Sequence, residues 1–121
     1  MPLLFSYGTL QDDRVQLSTF VRLLKGERDE LRGYEPSLVR IEDPDVAAAS
    51  GRTHHANVTF TGRSDTRVTG TVFEITDAEF AAADEYEQRA AYERVVVRLA
   101  SGKDAWVYVD ARSARSRRNF L

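Results

Sequence analysis

Residues 3–11 read LLFSYGTLQ. The apolar run over residues 2–6 has the character of a short buried strand, and it breaks at once into Tyr7-Gly8-Thr9-Leu10. Gly8 permits a close backbone approach or a positive φ and so ends the strand. The next ten residues, QDDRVQLSTF, read as a short helix. Asp12 and Asp13 favour its N-terminus, while Val15, Leu17 and Phe20 are its apolar positions. The amides after Gly8 therefore run toward a helix start, where negative groups are favoured. No Gly-Lys-Ser/Thr ending follows, so the stretch is not a P-loop, nor is it a dinucleotide fingerprint. Taken alone, it also fits an ordinary turn.

Working outward from this stretch, the period stays short. Residues 21–34 suggest strands around turns, and GYEPSLVRI (33–41) places Pro36 in a turn with a strand restarting at Leu38. Residues 42–53 read as loop. HANVTFTG (55–62) and RVTGTVFEI (67–75) are β-rich runs separated by GRSD, which predicts a hairpin between them. TDAEFAAADEYEQ (76–88) changes the period: Thr76 with Glu79 three later is a capping-box pattern, and the alanines support a helix. YERVVVRLA (92–100), a turn at Ser101-Gly102-Lys103-Asp104 and AWVYV (105–109) form a second predicted hairpin. Trp106 and Tyr108 alternate with valines as packing residues. The sum is about six strands and two short helices. The expected fold class is α+β, with a curved, mostly antiparallel or mixed sheet or barrel.

Composition fits one domain. The chain has 121 residues, 42% hydrophobic and 30% charged, at a net charge of −2. That charge does not suit phosphate neutralisation over the whole surface, so no nucleic-acid partner is expected. The absence of cysteine excludes disulfides, thiolate nucleophiles and cysteine-ligated metals, and it fits a cytoplasmic protein. No stretch approaches the roughly 20 apolar residues of a membrane helix, and no secretory signal is apparent. The expected domain is 1–110, followed by a basic, flexible tail, ARSARSRRNFL, at 111–121. A monomer is the expected state.

The chemistry-bearing cluster is DEYEQR, residues 84–89. Asp84, Glu85 and Glu87 crowd the C-terminal end of the predicted helix, where the helix dipole and mutual repulsion both raise carboxylate pKa values. Phe80, Ala83 and Glu87 recur at i, i+3 and i+7, one face of a helix. Phe80 turns that face inward, which puts Glu87 at the inner edge and leaves Glu85 exposed. A carboxylate held at a cavity edge can accept a proton from an ammonium group and return it to a leaving group. The same residues also fit a solvated acidic helix end paired with Arg89 or Arg94.

Several short motifs occur together in order: Tyr7-Gly8-Thr9-Leu10, Gly33-Tyr34-x-Pro36-x-Leu38, and Val68-x-Gly70-x-Val72-Phe73-Glu74-Ile75. Asp84-Glu85-Tyr86-Glu87 follows, with Tyr92 five residues on, and then AWVYV. In this the chain resembles the gamma-glutamylcyclotransferase-like, or AIG2-like, superfamily, from about residue 3 to 109. The resemblance implies a small closed β-barrel with helices outside. It implies a cavity lined by the Tyr7–Leu10 loop and one glutamate, here Glu87, as general acid/base. The implied substrate is a small γ-glutamyl compound, whose α-amine attacks its own γ-carbonyl to give 5-oxoproline and a free amine, with no cofactor and no metal. Tyr7, Gly8, Thr9, Leu10, Tyr34 and Tyr92 are then expected to bind substrate. Gln88 departs from the glycine that follows the glutamate in many relatives, and it bears on the substrate more than on Glu87.

Other readings stay open. The same cavity can hold an amide or carboxylate without turning it over, and the basic tail can serve a partner. His54 and His55, adjacent on a strand, point to opposite faces and do not readily share a metal. No Gly-x-Ser-x-Gly supports a serine hydrolase.

Overall fold

A computed structural model describes residues 1–51 and 53–111. Within them lie seven strands and three α-helices: β1 (Leu3–Ser6), α1 (Asp13–Phe20), β2 (Gly26–Arg32), β3 (Tyr34–Arg40) and α2 (Pro44–Ser50). They continue as β4 (His54–Phe60), β5 (Arg67–Glu74), α3 (Asp77–Gln88), β6 (Tyr92–Arg98) and β7 (Asp104–Asp110). The α+β class expected from the sequence is observed. Tail residues 112–121 lie outside the described set. No described helix is long and apolar enough to cross a membrane.

The main sheet has the order β2-β5-β1-β7-β6 and is mixed. β1 runs antiparallel to β5 and parallel to β7. Its period-two alternation builds two cores. Phe5, Val72, Val107 and Val109 face one side with Leu31, Val58 and Leu99. Leu4, Phe73 and Tyr108 face the other, where Phe20, Phe80 and Ala83 of the two long helices cover them. A separate two-stranded sheet, β3-β4, packs across the first side near β5 and β7.

The pairing gives two sheets, with no ladder between them among the described residues, and the closure of the expected barrel is not seen in it. Three other expectations need correction. β4 and β5 do not form a hairpin. β5 carries buried side chains on both faces, Val72 to one core and Phe73 to the other, so it takes an interior place between β2 and β1. β4 pairs instead with β3, and the connection between β4 and β5 hydrogen-bonds Gly33. Pro36 lies within β3, opposite Val58, and not in a turn. β3 pairs only with β4 among the described residues, and an edge strand tolerates a residue without an N–H. Residues 42–53 hold a helix. The Asp43 side chain caps it, Pro44 starts it with a preset φ, and Gly51 ends it in the left-handed conformation at φ 69°.

α3 forms as the sequence indicates. Thr76 Oγ1 accepts from the Glu79 amide at 3.0 Å, and the Glu79 carboxylate accepts from the Thr76 amide at 2.9 Å. Arg22, after α1, adds a two-pronged contact to Glu79 at 2.6 and 2.9 Å, so the helix start is tied to its neighbour. That guanidinium holds the Glu79 carboxyl down at about 2.

Candidate functional site

α3 places Phe80 and Ala83 in the core, at 4% and 0% exposure, and the same face carries Glu87 to the helix's last turn. There it lines a cavity of about 450 Å³. The opposite wall is the segment Phe5–Leu10, and His55, Ala56, Ile41 and Tyr92 complete the enclosure. The three carboxylates of the cluster divide as helix geometry requires. Asp84 meets Arg94 at 3.3 Å and accepts a hydrogen bond from the Tyr108 hydroxyl at 2.7 Å. Glu85 points to solvent and meets Arg89 at 4.0 Å. Glu87 has no ion pair among the described residues. Burial alone pushes its carboxyl up to about 7. The upward shift falls on the least solvated carboxylate of the cluster, with desolvation as its cause.

The Tyr7–Leu10 wall is built to keep its shape. Gly8 has φ −130°, so positive φ is not the reason for glycine here. A Cβ at this position would meet nothing within 4 Å: glycine leaves the backbone bare on the cavity side. Thr9 and Leu10 open a short 3-10 turn, and their amides have no intrahelical acceptor. Two glutamines fix the turn from behind. Gln11 donates to the Gly8 carbonyl at 3.3 Å and accepts from Thr71 of β5 at 2.8 Å. Buried Gln16 donates to the Leu10 carbonyl and accepts from the Leu24 amide, both at 2.9 Å. Thr9 Oγ1 lies 2.8 Å from the Tyr86 hydroxyl and joins the loop to the helix that carries Glu87.

Two phenols face the carboxylate. Tyr7 donates to the Tyr108 carbonyl at 2.7 Å, and Tyr92 donates to the Ala56 carbonyl. Burial raises both phenols above the usual tyrosine range, and the charges of Glu87 and Asp110 raise them further. They stay protonated across the physiological range and act as hydrogen-bonding groups.

Of the site residues expected from sequence, Glu87, Tyr7, Gly8, Thr9, Leu10 and Tyr92 all border this one cavity. Tyr34 does not. It is 4% exposed and packs on Phe60, ring centroids 5.3 Å apart, in the core under the β3-β4 sheet. Its alternation in β3 turns it to the inside. His55, Ile41, Tyr86, Arg89 and Tyr108 border the cavity unforeseen. Tyr86 and Arg89 flank Glu87 in sequence, which is a local signal. His55 and Ile41 arrive through the β3-β4 sheet, for which nothing local could speak. His55 stacks edge-on against Tyr92, centroids 4.8 Å apart.

A small α+β domain with a half-buried carboxylate sharing a cavity with a bare glycine loop is the class that fold and site define. The gamma-glutamyl cyclotransferase, AIG2-like family model matches residues 4–119, and the chain belongs to that family. Solved structures share the fold. One is a solution structure from Arabidopsis thaliana, at TM-score 0.70 and 21% identity, covering 93% of this chain and 63% of that one. A gamma-glutamyl cyclotransferase gives 0.66 and 17% over 90% of this chain and 66% of its own. An uncharacterised protein from Pyrococcus horikoshii gives 0.56 and 17%, covering 99% and 98%. The chain thus spans less than two thirds of the length of the first two. Among curated proteins none matches it.

Proposed function

We propose that the protein is a cyclotransferase that releases 5-oxoproline from a small γ-glutamyl compound, with Glu87 as general acid/base. The observation that carries this reading is a carboxyl raised to about 7 at the inner end of α3, in a cavity that also presents the Tyr7–Leu10 loop. Membership of the family supports it.

The chemistry follows from the residues. The attacking α-amine is an ammonium at neutral pH, and a base with a pKa near 7 removes its proton without being fully protonated itself. The freed nitrogen attacks the γ-carbonyl carbon of the same molecule and forms the five-membered ring's C–N bond. The old C–N bond then breaks as Glu87 returns its proton to the departing nitrogen, and the second proton that the ring nitrogen sheds on becoming a lactam N–H goes to the same amine, which departs as an ammonium. No water is consumed and no electron changes hands. The enclosing wall holds the substrate folded for attack. The amides at Thr9 and Leu10 are hydrogen-bond donors for the substrate carboxylate and the developing oxyanion, while the phenols of Tyr7 and Tyr92, whose protons go to the Tyr108 and Ala56 carbonyls, line the wall beside them.

The test is mass-spectrometric detection of 5-oxoproline from a panel of γ-glutamyl compounds. Glu87→Gln, still folded, is expected to lower turnover by roughly 100- to 10,000-fold, the range for loss of a general acid/base. Unchanged turnover in the variant would remove Glu87 from the mechanism. Silence across the panel in the native protein would leave a binding domain as the better account.

A further inference from the structure

Gly8 leaves the cavity wall bare, and it also leaves that wall soft. A residue without a Cβ has little preference of its own for one peptide orientation. The peptide planes on either side of Gly8 are each held by a side chain instead. The Gly8 amide donates to Oγ of buried Ser6 at 3.3 Å. The Gly8 carbonyl is held twice by one residue. It accepts from the Gln11 backbone amide at 3.1 Å and from Gln11 Nε2 at 3.3 Å.

A trans peptide is planar, with its carbonyl and its N–H on opposite sides. A group that fixes the Gly8 carbonyl therefore aims the Thr9 N–H. The sense of the Gln11 carboxamide is set in turn by β5. Gln11 Oε1 accepts from the Thr71 hydroxyl at 2.8 Å, which leaves Nε2 as the end that meets Gly8. Thr71 stands opposite Ser6 in the β1-β5 pairing, so both holds on Gly8 start from one rung of the sheet. Thr9 is also the loop residue tied to α3, its hydroxyl 2.8 Å from that of Tyr86, the neighbour of Glu87.

Resting on the cyclotransferase reading, we infer that Gln11 is a positioning residue that aims the Thr9 N–H at the oxyanion developing on the γ-carbonyl. Gln11 does not border the cavity and touches no reacting atom. It acts through one peptide plane. The Gly8 amide is already spent on Ser6, so the Thr9 amide is the first donor the loop has free for substrate. A donor held in place before the reaction needs no reorganisation as charge develops.

The experiment measures kcat and KM for 5-oxoproline release from the best γ-glutamyl substrate of the panel, with urea unfolding alongside. Gln11→Glu keeps the length of the side chain and the acceptor for Thr71 but removes the donor to Gly8. It is expected to lower kcat by roughly ten- to a hundredfold, short of the roughly 100- to 1,000-fold that follows loss of a whole oxyanion donor, and to leave KM within about threefold of native. Thr71→Val frees the carboxamide to turn over and is expected to lower kcat by about three- to tenfold, with Thr71→Ser restoring it. The Thr71 pair decides the question in the same way if Gln11→Glu does not fold. A native kcat in the folded variants would overturn the assignment, whether or not their unfolding midpoints fall, since the contacts would then serve the fold alone. A raised KM at unchanged kcat would move the Thr9 amide to the substrate carboxylate and overturn it too. Those outcomes leave the native activity standing; a native protein silent across the whole γ-glutamyl panel would instead remove the cyclotransferase reading, and this inference with it.

Discussion

At the scale of the residue, Glu87 carries the account. Burial pushes its carboxyl up to about 7, from 4.5 for the free group. Between those values the folded protein keeps a proton that the unfolded chain has released, so stability falls as pH rises through this window. The loss amounts to up to about 3 kcal/mol above pH 7, from the size of the shift. Glu87→Gln removes the burden of a buried charge. It is therefore expected to be more stable than the native protein at pH 8, by about 1–3 kcal/mol, and equal to it near pH 4. Urea unfolding at the two pH values checks this. A difference of the same size at both would show that the carboxylate is better solvated than its position suggests. A protein that keeps such a group against its own stability has the signature of a functional site.

Elements decide where that residue stands, and here the sequence was partly readable. α3 declares itself locally through Thr76, Glu79 and the spacing of Phe80, Ala83 and Glu87. The strand ending at Tyr7-Gly8 declares itself the same way. Pairing partners do not. β5 looks like one arm of a local hairpin, but its neighbours in the sheet are β1 and β2, far away in sequence. α2 was legible in Asp43, Pro44 and Gly51 but masked by a short alanine run that also suits a loop. Tyr34 and His55 show the limit of local reading. Their faces depend on which sheet covers β3 and β4, a tertiary fact. Gly70 gives a test at this scale. It lies in β5 under Phe5 of β1, and an added Cβ would fall 2.3 Å from the Ser6 carbonyl oxygen and 2.7 Å from the Phe5 ring. Gly70→Ala therefore has to part β1 from β5 and disturb the strand that leads into Tyr7. A destabilisation of about 1–3 kcal/mol is expected in thermal or denaturant unfolding. An unchanged midpoint would show that β1 is not held against β5 as described.

For the whole molecule, the cavity is a joint product of parts that share no sequence neighbourhood. β1 and its turn supply one wall, α3 the carboxylate, β4 the histidine and alanine, and the residues after β3 and α3 the rim. The pKa of Glu87 is therefore a property of the assembled protein and not of α3, since burial alone causes its rise. The most direct measurement is the titration of the Glu87 carboxyl by carbon-13 NMR, set beside the pH profile of kcat/KM for 5-oxoproline release. The account predicts a carboxyl that titrates near 7, and a rising limb of activity with the same midpoint that is absent in Glu87→Gln. A carboxyl that titrates in the ordinary glutamate range, near 4.3, or a limb that does not follow it, would contradict the assignment of Glu87 as the acid/base.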